Sequence, residues 1–119
     1  LCREFVRRGA QVLVNMTNDS WSRSVACEMQ HMSIALFRAV ENRLAIIRSV
    51  NTGISCLIES TGRIRDGFLA ASDGFPRRSA ERIAMAGWFL DRLPIDKRVT
   101  FYSRHGEWLA DGCAVFGVG

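Results

Sequence analysis

An α/β fold is what this sequence predicts, on three observations taken in chain order. A short helical stretch leads straight into a β-branched apolar run; a long amphipathic helix follows a polar loop; two extended runs come next across a tight turn. With 119 residues, 48% of them hydrophobic and 24% charged, the chain suits one globular unit able to bury a core.

The first helix is read in "CREFVRRGA", which sets Phe5 and Val6 among charged residues and closes on Gly9. "QVLVNM" then reads as a parallel strand covered on both faces. It breaks off into "NMTNDSWSRS" (15 to 24), which is either a plain turn or the rim of a site. From Glu28 to Leu44, apolar Met29, Met32, Leu36, Ala39, Val40 and Leu44 recur at three- and four-residue steps, the mark of an amphipathic helix of about four turns. "AIIRSV" (45 to 50) and "ISCLIES" (54 to 60) form two strands joined by Asn51, Thr52 and Gly53, and a Thr61-Gly62 turn leads to a short "RIR" strand.

Gly67, Gly74, Pro76 and the Arg77-Arg78 pair make 66–82 a surface arm or loop, with a helical start at Ser79. "IAMAGWFLDRLPI" (83 to 95) fits helix or strand by periodicity and is assigned as a strand ended at Pro94. The last twenty residues turn from a Tyr, Arg and Trp-bearing segment to an apolar tail. That tail is either a terminal strand of small residues or the start of a transmembrane helix, since Leu109 to Gly119 reaches about half the length of a membrane span.

The net charge is +4, and every one of the 16 basic residues except Lys97 is arginine, spread along the chain. No aromatic stripe interleaves the arginines, so nucleic acid is not the partner expected. Cys2, Cys27, Cys56 and Cys113 contain no C-x-x-C pair, and neither His31 nor His105 stands at ligand spacing from them, so no metal site is expected. Cys27 and Cys56 read as small buried hydrophobes. The chain opens on Leu1 with neither the basic start nor the apolar run of a signal peptide, and is expected to be a piece of something longer.

These pieces resemble the carbon-nitrogen hydrolase (nitrilase) superfamily. Its strand, Asn-bearing loop, R-A-x-E-N helix, N-x-G turn and G-x-I strand correspond here to Asn18, Arg38-Ala39-Val40-Glu41-Asn42, Asn51-Thr52-Gly53 and Gly62-Arg63-Ile64. Within the superfamily, "TNDSW" (17 to 21), "QH" (30 to 31), "RSVNTG" (48 to 53) and the distal "TFYSRHGEW" (100 to 108) before an apolar tail are similar to the apolipoprotein N-acyltransferases. The resemblance is strong over 10 to 65 and 100 to 108 and weak over 66 to 95.

The resemblance implies the C-terminal half of an α-β-β-α sandwich over residues 1 to 98, then a connector and the truncated start of a transmembrane helix over 99 to 119. It implies a bacterial inner-membrane enzyme with this domain in the periplasm. Such an enzyme moves an acyl chain from a phospholipid to the diacylglyceryl-cysteine of an apolipoprotein through a Cys thioester, using Glu, Lys and Cys and no cofactor or metal. The resemblance places the nucleophile in a Cys-(Tyr/Trp)-Glu motif just before the helix that starts this sequence, so the triad is expected outside this chain; Cys2, though followed by Arg3 and Glu4, opens a helix and does not sit at a strand-to-helix elbow. What the resemblance leaves here is the wall of the site: Asn18, Asp19 and Trp21, supported by Arg38, Glu41 and Asn51. From the residues alone, Asn18, Asp19 and Trp21 could equally be an Asx-turn with a Trp capping the core. Glu41 is assigned a buried structural role and His31 a packing role. Ser22-Arg23, Met29, Leu36, Leu44-Ala45 and Phe101 depart from the family pattern. The alternatives are a fragment of a soluble nitrilase-type amidase and a non-catalytic nitrilase-like binding module.

Overall fold

The computed structural model describes residues 1–117. Helix α1 (Cys2–Arg7) stops where Gly9 takes φ +93°, a left-handed backbone that glycine adopts without penalty. Strand β1 (Val12–Thr17) follows, then helix α2 (Val25–Asn42) and strand β2 (Ala45–Val50). β1 and β2 are parallel, paired from Val12 with Ala45 to Thr17 with Val50, and α2 is the crossover that a parallel pair requires. β3 (Cys56–Ile58) runs antiparallel to β2, and β4 (Ile64–Arg65) antiparallel to β3, giving a sheet of order β1-β2-β3-β4.

The core lies between α2 and one face of this sheet, where Met32, Ala35 and Ala39 meet Ile46, Ile54, Cys56 and Ile58. Of the stripe read from the sequence, Met32, Ala39 and Leu44 are buried, whereas Met29 and Val40 are exposed. The buried line is rotated toward the alanines because a small side chain lets the helix approach the sheet closely. α2 stops at Arg43, which takes the left-handed conformation (φ 54°). The Leu44 N–H then reaches the Ala39 carbonyl at 3.0 Å and the Arg43 N–H reaches Val40, a Schellman closure made without glycine.

Three expectations are corrected. Among the described residues β1 is not covered on both faces: it is the edge strand, and Val14 and Met16, pointing away from α2, are 61% and 79% exposed. The stretch 83–95 is not a long strand. Only Phe89–Leu90 (β6) is strand, pairing antiparallel with Ala70–Ala71 (β5), so the supposed loop and the supposed strand make one hairpin arm, with a tight helical turn at Ser79–Glu81. Its strand ends before Pro94, where Asp91 turns to the Arg65 guanidinium at 2.8 Å.

Among the described residues the tail carries neither a terminal strand nor a recognisable start of a membrane span. It forms α3 (Phe101–His105), capped by the Thr100 hydroxyl accepting from the Ser103 N–H, and then α4 (Trp108–Phe116), nine residues long. Among the described residues no helix is long and apolar enough to cross a membrane, and 118–119, where the expected span would continue, lie outside them.

Candidate functional site

The register of β1 and β2 brings Thr17 and Val50 level, so both strands deliver an asparagine-bearing loop to the same end of the sheet. Ligand sites of parallel α/β sheets form at such carboxyl ends. The two loops are tied through their amides. Asn51 Oδ1 accepts from the Asp19 N–H (3.1 Å) and the Thr52 N–H (2.9 Å), while Asn51 Nδ2 donates to Asn18 Oδ1 (2.7 Å). Asn18 Oδ1 also takes the Ser20 N–H and hydroxyl, the Asx geometry that short polar side chains favour.

Beneath this surface layer Asp19 is fully buried. Its Oδ2 accepts from Arg48 Nη2 at 2.9 Å; its Oδ1 accepts from the Thr17 hydroxyl and faces His31 Nδ1, both at 3.1 Å. Arg48, buried as well, sends Nη1 to Asn15 Oδ1 at 2.6 Å. A buried ion pair holds only when its desolvation is repaid by such added hydrogen bonds. Gly53 makes room for it: a Cβ there would lie 2.9 Å from Asp19 Oδ2 and 2.9 Å from Val50.

Of the residues singled out in the sequence, the fold thus gathers Asn18, Asp19 and Asn51 into one network. Trp21 stands at its rim, 69% exposed, its ring centroid 5.9 Å from that of His31. Arg38 and Glu41 do not join it. They pair with each other at 2.8 Å near the far end of α2, about 10 to 15 Å along the helix from His31, where the Glu41 carbonyl receives the Thr100 hydroxyl. Glu41 is half-buried in that pair. Arg48 and His31 are the network members that the sequence reading did not assign to the site. Arg48's signal was a lone charge at an inward position of the run "AIIRSV".

On the other face of the sheet, a cleft of about 540 Å³ separates β2 and β3 from the arm, bounded by Ile47, Leu57, Phe75, Arg82 and Trp88. Arg82 is the arm's pin. It is almost fully buried, with its guanidinium 4.7 to 5.7 Å from the ring centroids of Phe68, Phe75 and Phe89. It donates to the carbonyls of Pro76 (3.0 Å), Ser55 (3.2 Å) and Arg77. Burial lowers its pKa from the usual arginine range, opposed by the charges of Cys56, Asp66 and Asp91. The base of the arm is closed by Asp66, which accepts the Ser79 N–H and hydroxyl at 2.8 Å each and is held below the usual carboxylate range, chiefly by that backbone bond. Cys56 lies in the core, its thiol pushed up to about 11 by burial. Among the described residues no three His, Cys, Asp or Glu side chains converge as metal ligands.

Comparison with known proteins agrees with this architecture. The carbon-nitrogen hydrolase family model matches residues 1–69. An apolipoprotein N-acyltransferase of Geobacter metallireducens is 49% identical over 113 residues, covering 95% of this chain and 19% of the relative. Apolipoprotein N-acyltransferase 1 of Treponema pallidum is 50% identical over 66 residues (56% of this chain, 12% of the relative), and the Thermotoga maritima enzyme 35% over 106 residues (89% and 18%). The chain therefore spans less than a fifth of the length of these curated relatives. With the family model covering more than half of the sequence, including the whole β1-α2-β2 unit and both of its asparagine loops, the chain belongs to the carbon-nitrogen hydrolase family.

Proposed function

We propose that this chain is the C-terminal part of a membrane-bound N-acyltransferase that moves an acyl chain from a phospholipid to the N-terminal diacylglyceryl-cysteine of apolipoproteins. The observation that carries this reading is the reach of the likeness: the Geobacter relative matches 95% of the chain, well past residue 69 where the general family model ends. The arm and the "TFYSRHGEW" segment lie in that added stretch. In this reading residues 1–98 are part of a nitrilase-like sandwich and 99–119 a connector toward the membrane. The nucleophile, in a Cys-(Tyr/Trp)-Glu motif with its Glu and Lys partners, lies upstream of Leu1, and no metal or cofactor takes part.

The arm covers β2 and β3 but leaves Val14 and Met16 of β1 exposed, and among the described residues β1 has an unpaired edge; both support a missing half that packs there. Chemically, a thiolate attacks the phospholipid ester and forms a thioester as the lysophospholipid alcohol leaves with a proton from the Glu; the lipoprotein amine then attacks the thioester, gives its proton to the Glu and expels the thiolate, the Lys stabilising each oxyanion. The residues present here shape the cavity. Asp19, locked by Arg48 and Asn51, fixes the loop; Asn18 and Trp21 on its surface form the wall, Trp21 offering an apolar face to acyl chains. Arg38 and Glu41 brace the helix behind it. The protein would reside in the inner membrane with this domain facing the periplasm.

The test is the full-length gene product, fractionated and assayed with phosphatidylethanolamine and a diacylglyceryl peptide. Recovery in membranes and a triacylated peptide by mass spectrometry are expected. Recovery in the soluble fraction, with hydrolysis of simple amides instead, would replace this reading with the amidase one. Absence of either activity would favour a binding module.

A further inference from the structure

Three side chains line up beside the loop in an order that no step above uses. Cys27 Sγ lies 3.8 Å from His31 Nε2, and His31 Nδ1 lies 3.1 Å from Asp19 Oδ1. Cys27 and His31 are one turn apart on α2, which sets them on a common face, while Asp19 arrives from the end of β1. The Asp19 carboxylate is held by Arg48 and only accepts hydrogen bonds, so it selects the tautomer with the proton on Nδ1. Nε2 of the neutral ring is then an acceptor turned to the sulfur. A thiol, a base and a group that orients the base are the parts of an activated nucleophile. Cys27 is also the third residue of an 18-residue helix, whose first-turn N–H groups favour a thiolate.

Cys27 and His31 are only partly buried, so a reagent can reach them. The charged and titratable groups about the imidazole are Asp19 with Arg48 behind it, and Cys27 and buried Glu28 on its own helix; the Trp21 ring beside it is neutral. The other thiols lack this setting. Cys56 is sealed in the core, and among the described residues neither Cys2 nor Cys113 bonds to a histidine.

We propose that Cys27 is a thiol-modification site whose co-reactant is a low-molecular-weight disulfide, with His31 as base and Asp19 as its positioning residue. The Cys27 proton passes to His31 Nε2, and the thiolate attacks one sulfur of the disulfide. The new Cys27 S–S bond forms as the old one breaks, and the leaving thiolate takes the proton back from His31. One disulfide and one thiol are consumed, one mixed disulfide and one thiol produced, with no net oxidation. This inference stands apart from the acyl-transfer reading, since it needs neither the phospholipid nor the upstream nucleophile.

The test uses the full-length protein and hydroxyethyl disulfide, a neutral probe, with modification at each cysteine followed by peptide mass spectrometry. At pH 7 Cys27 should react about tenfold faster in the native protein than in His31→Gln, and the two rates should converge near pH 10, where a thiol ionises unaided. The native protein alone gives a second reading: between about pH 6 and 8 its rate should rise less steeply than the tenfold per pH unit of an ordinary thiol with a pKa of about 8.5. Superimposed profiles, an offset that persists at pH 10, or an ordinary slope in the native protein would each overturn the proposal.

Discussion

Two buried arginines hold two parts of this molecule, and their charges are met in opposite ways. Arg48 in the sheet faces a fully buried carboxylate, Asp19, and an asparagine. Arg82 in the arm faces three phenyl rings and three backbone carbonyls, with no carboxylate within ion-pair distance among the described residues. The first arrangement couples two loops at the strand ends and is rigid only if both charges are present. The second binds a hairpin too short to have a core of its own, using a cation as the centre around which three aromatic side chains pack.

The largest effect should come from breaking the first of these. Asp19→Ala removes the partner of Arg48, the acceptor for Thr17 and the orienter of His31. Orphaning a buried charge costs about 3 to 5 kcal/mol, so urea denaturation of the full-length domain should show an unfolding free energy lower by that much. A shift below about 1 kcal/mol would mean that water reaches Arg48 and that the pair is not the loop's anchor.

Arg82→Met should come next, at about 2 kcal/mol from lost carbonyl bonds and cation-π contacts. The loss should be local. Amide exchange should rise across 66–93 while 45–58 stays protected, because the three rings and two of the three carbonyls around Arg82 belong to the arm, and only the Ser55 carbonyl belongs to the sheet side. Equal loosening of both segments would show that the arm and sheet unfold as one unit.

A smaller effect separates the same regions by acid. In the arm, Asp66 is held low chiefly by the Ser79 N–H and Asp91 by the Arg65 side chain. Depressed carboxylates stabilise the fold above their ordinary range and lose that contribution as pH falls through the depressed values. Exchange in the arm should therefore rise a few-fold below about pH 4, ahead of the sheet. Loss of protection in both together would contradict it.

The same contrast explains what could be read from the sequence. Asn18, Asp19, Trp21 and Asn51 carried a recognisable spacing around a strand, a helix and a turn, and the structure brings three of them within hydrogen-bonding reach. The β1-α2-β2 unit was visible because its periodicities change at the loops. Arg82 was invisible: Phe68, Phe75 and Phe89 are far apart in sequence and converge only when β5 and β6 pair. The covering of β1 was misjudged for a related reason, since an apolar run does not say whether its outer face is met by this chain. Cys27, read as a small hydrophobe, is instead half-buried against an imidazole.

Trp21 should matter least to stability and most to function. At 69% exposed it has little packing to lose, so Trp21→Ala should leave the melting temperature within about 1 °C. The decisive measurement is acyl transfer by the full-length Trp21→Ala protein from phosphatidylethanolamine to a diacylglyceryl peptide. If the loop is the wall of the site, kcat/KM should fall about tenfold, with partial recovery in Trp21→Phe, at unchanged stability. Native kcat/KM in Trp21→Ala would contradict the assignment of this loop to the site.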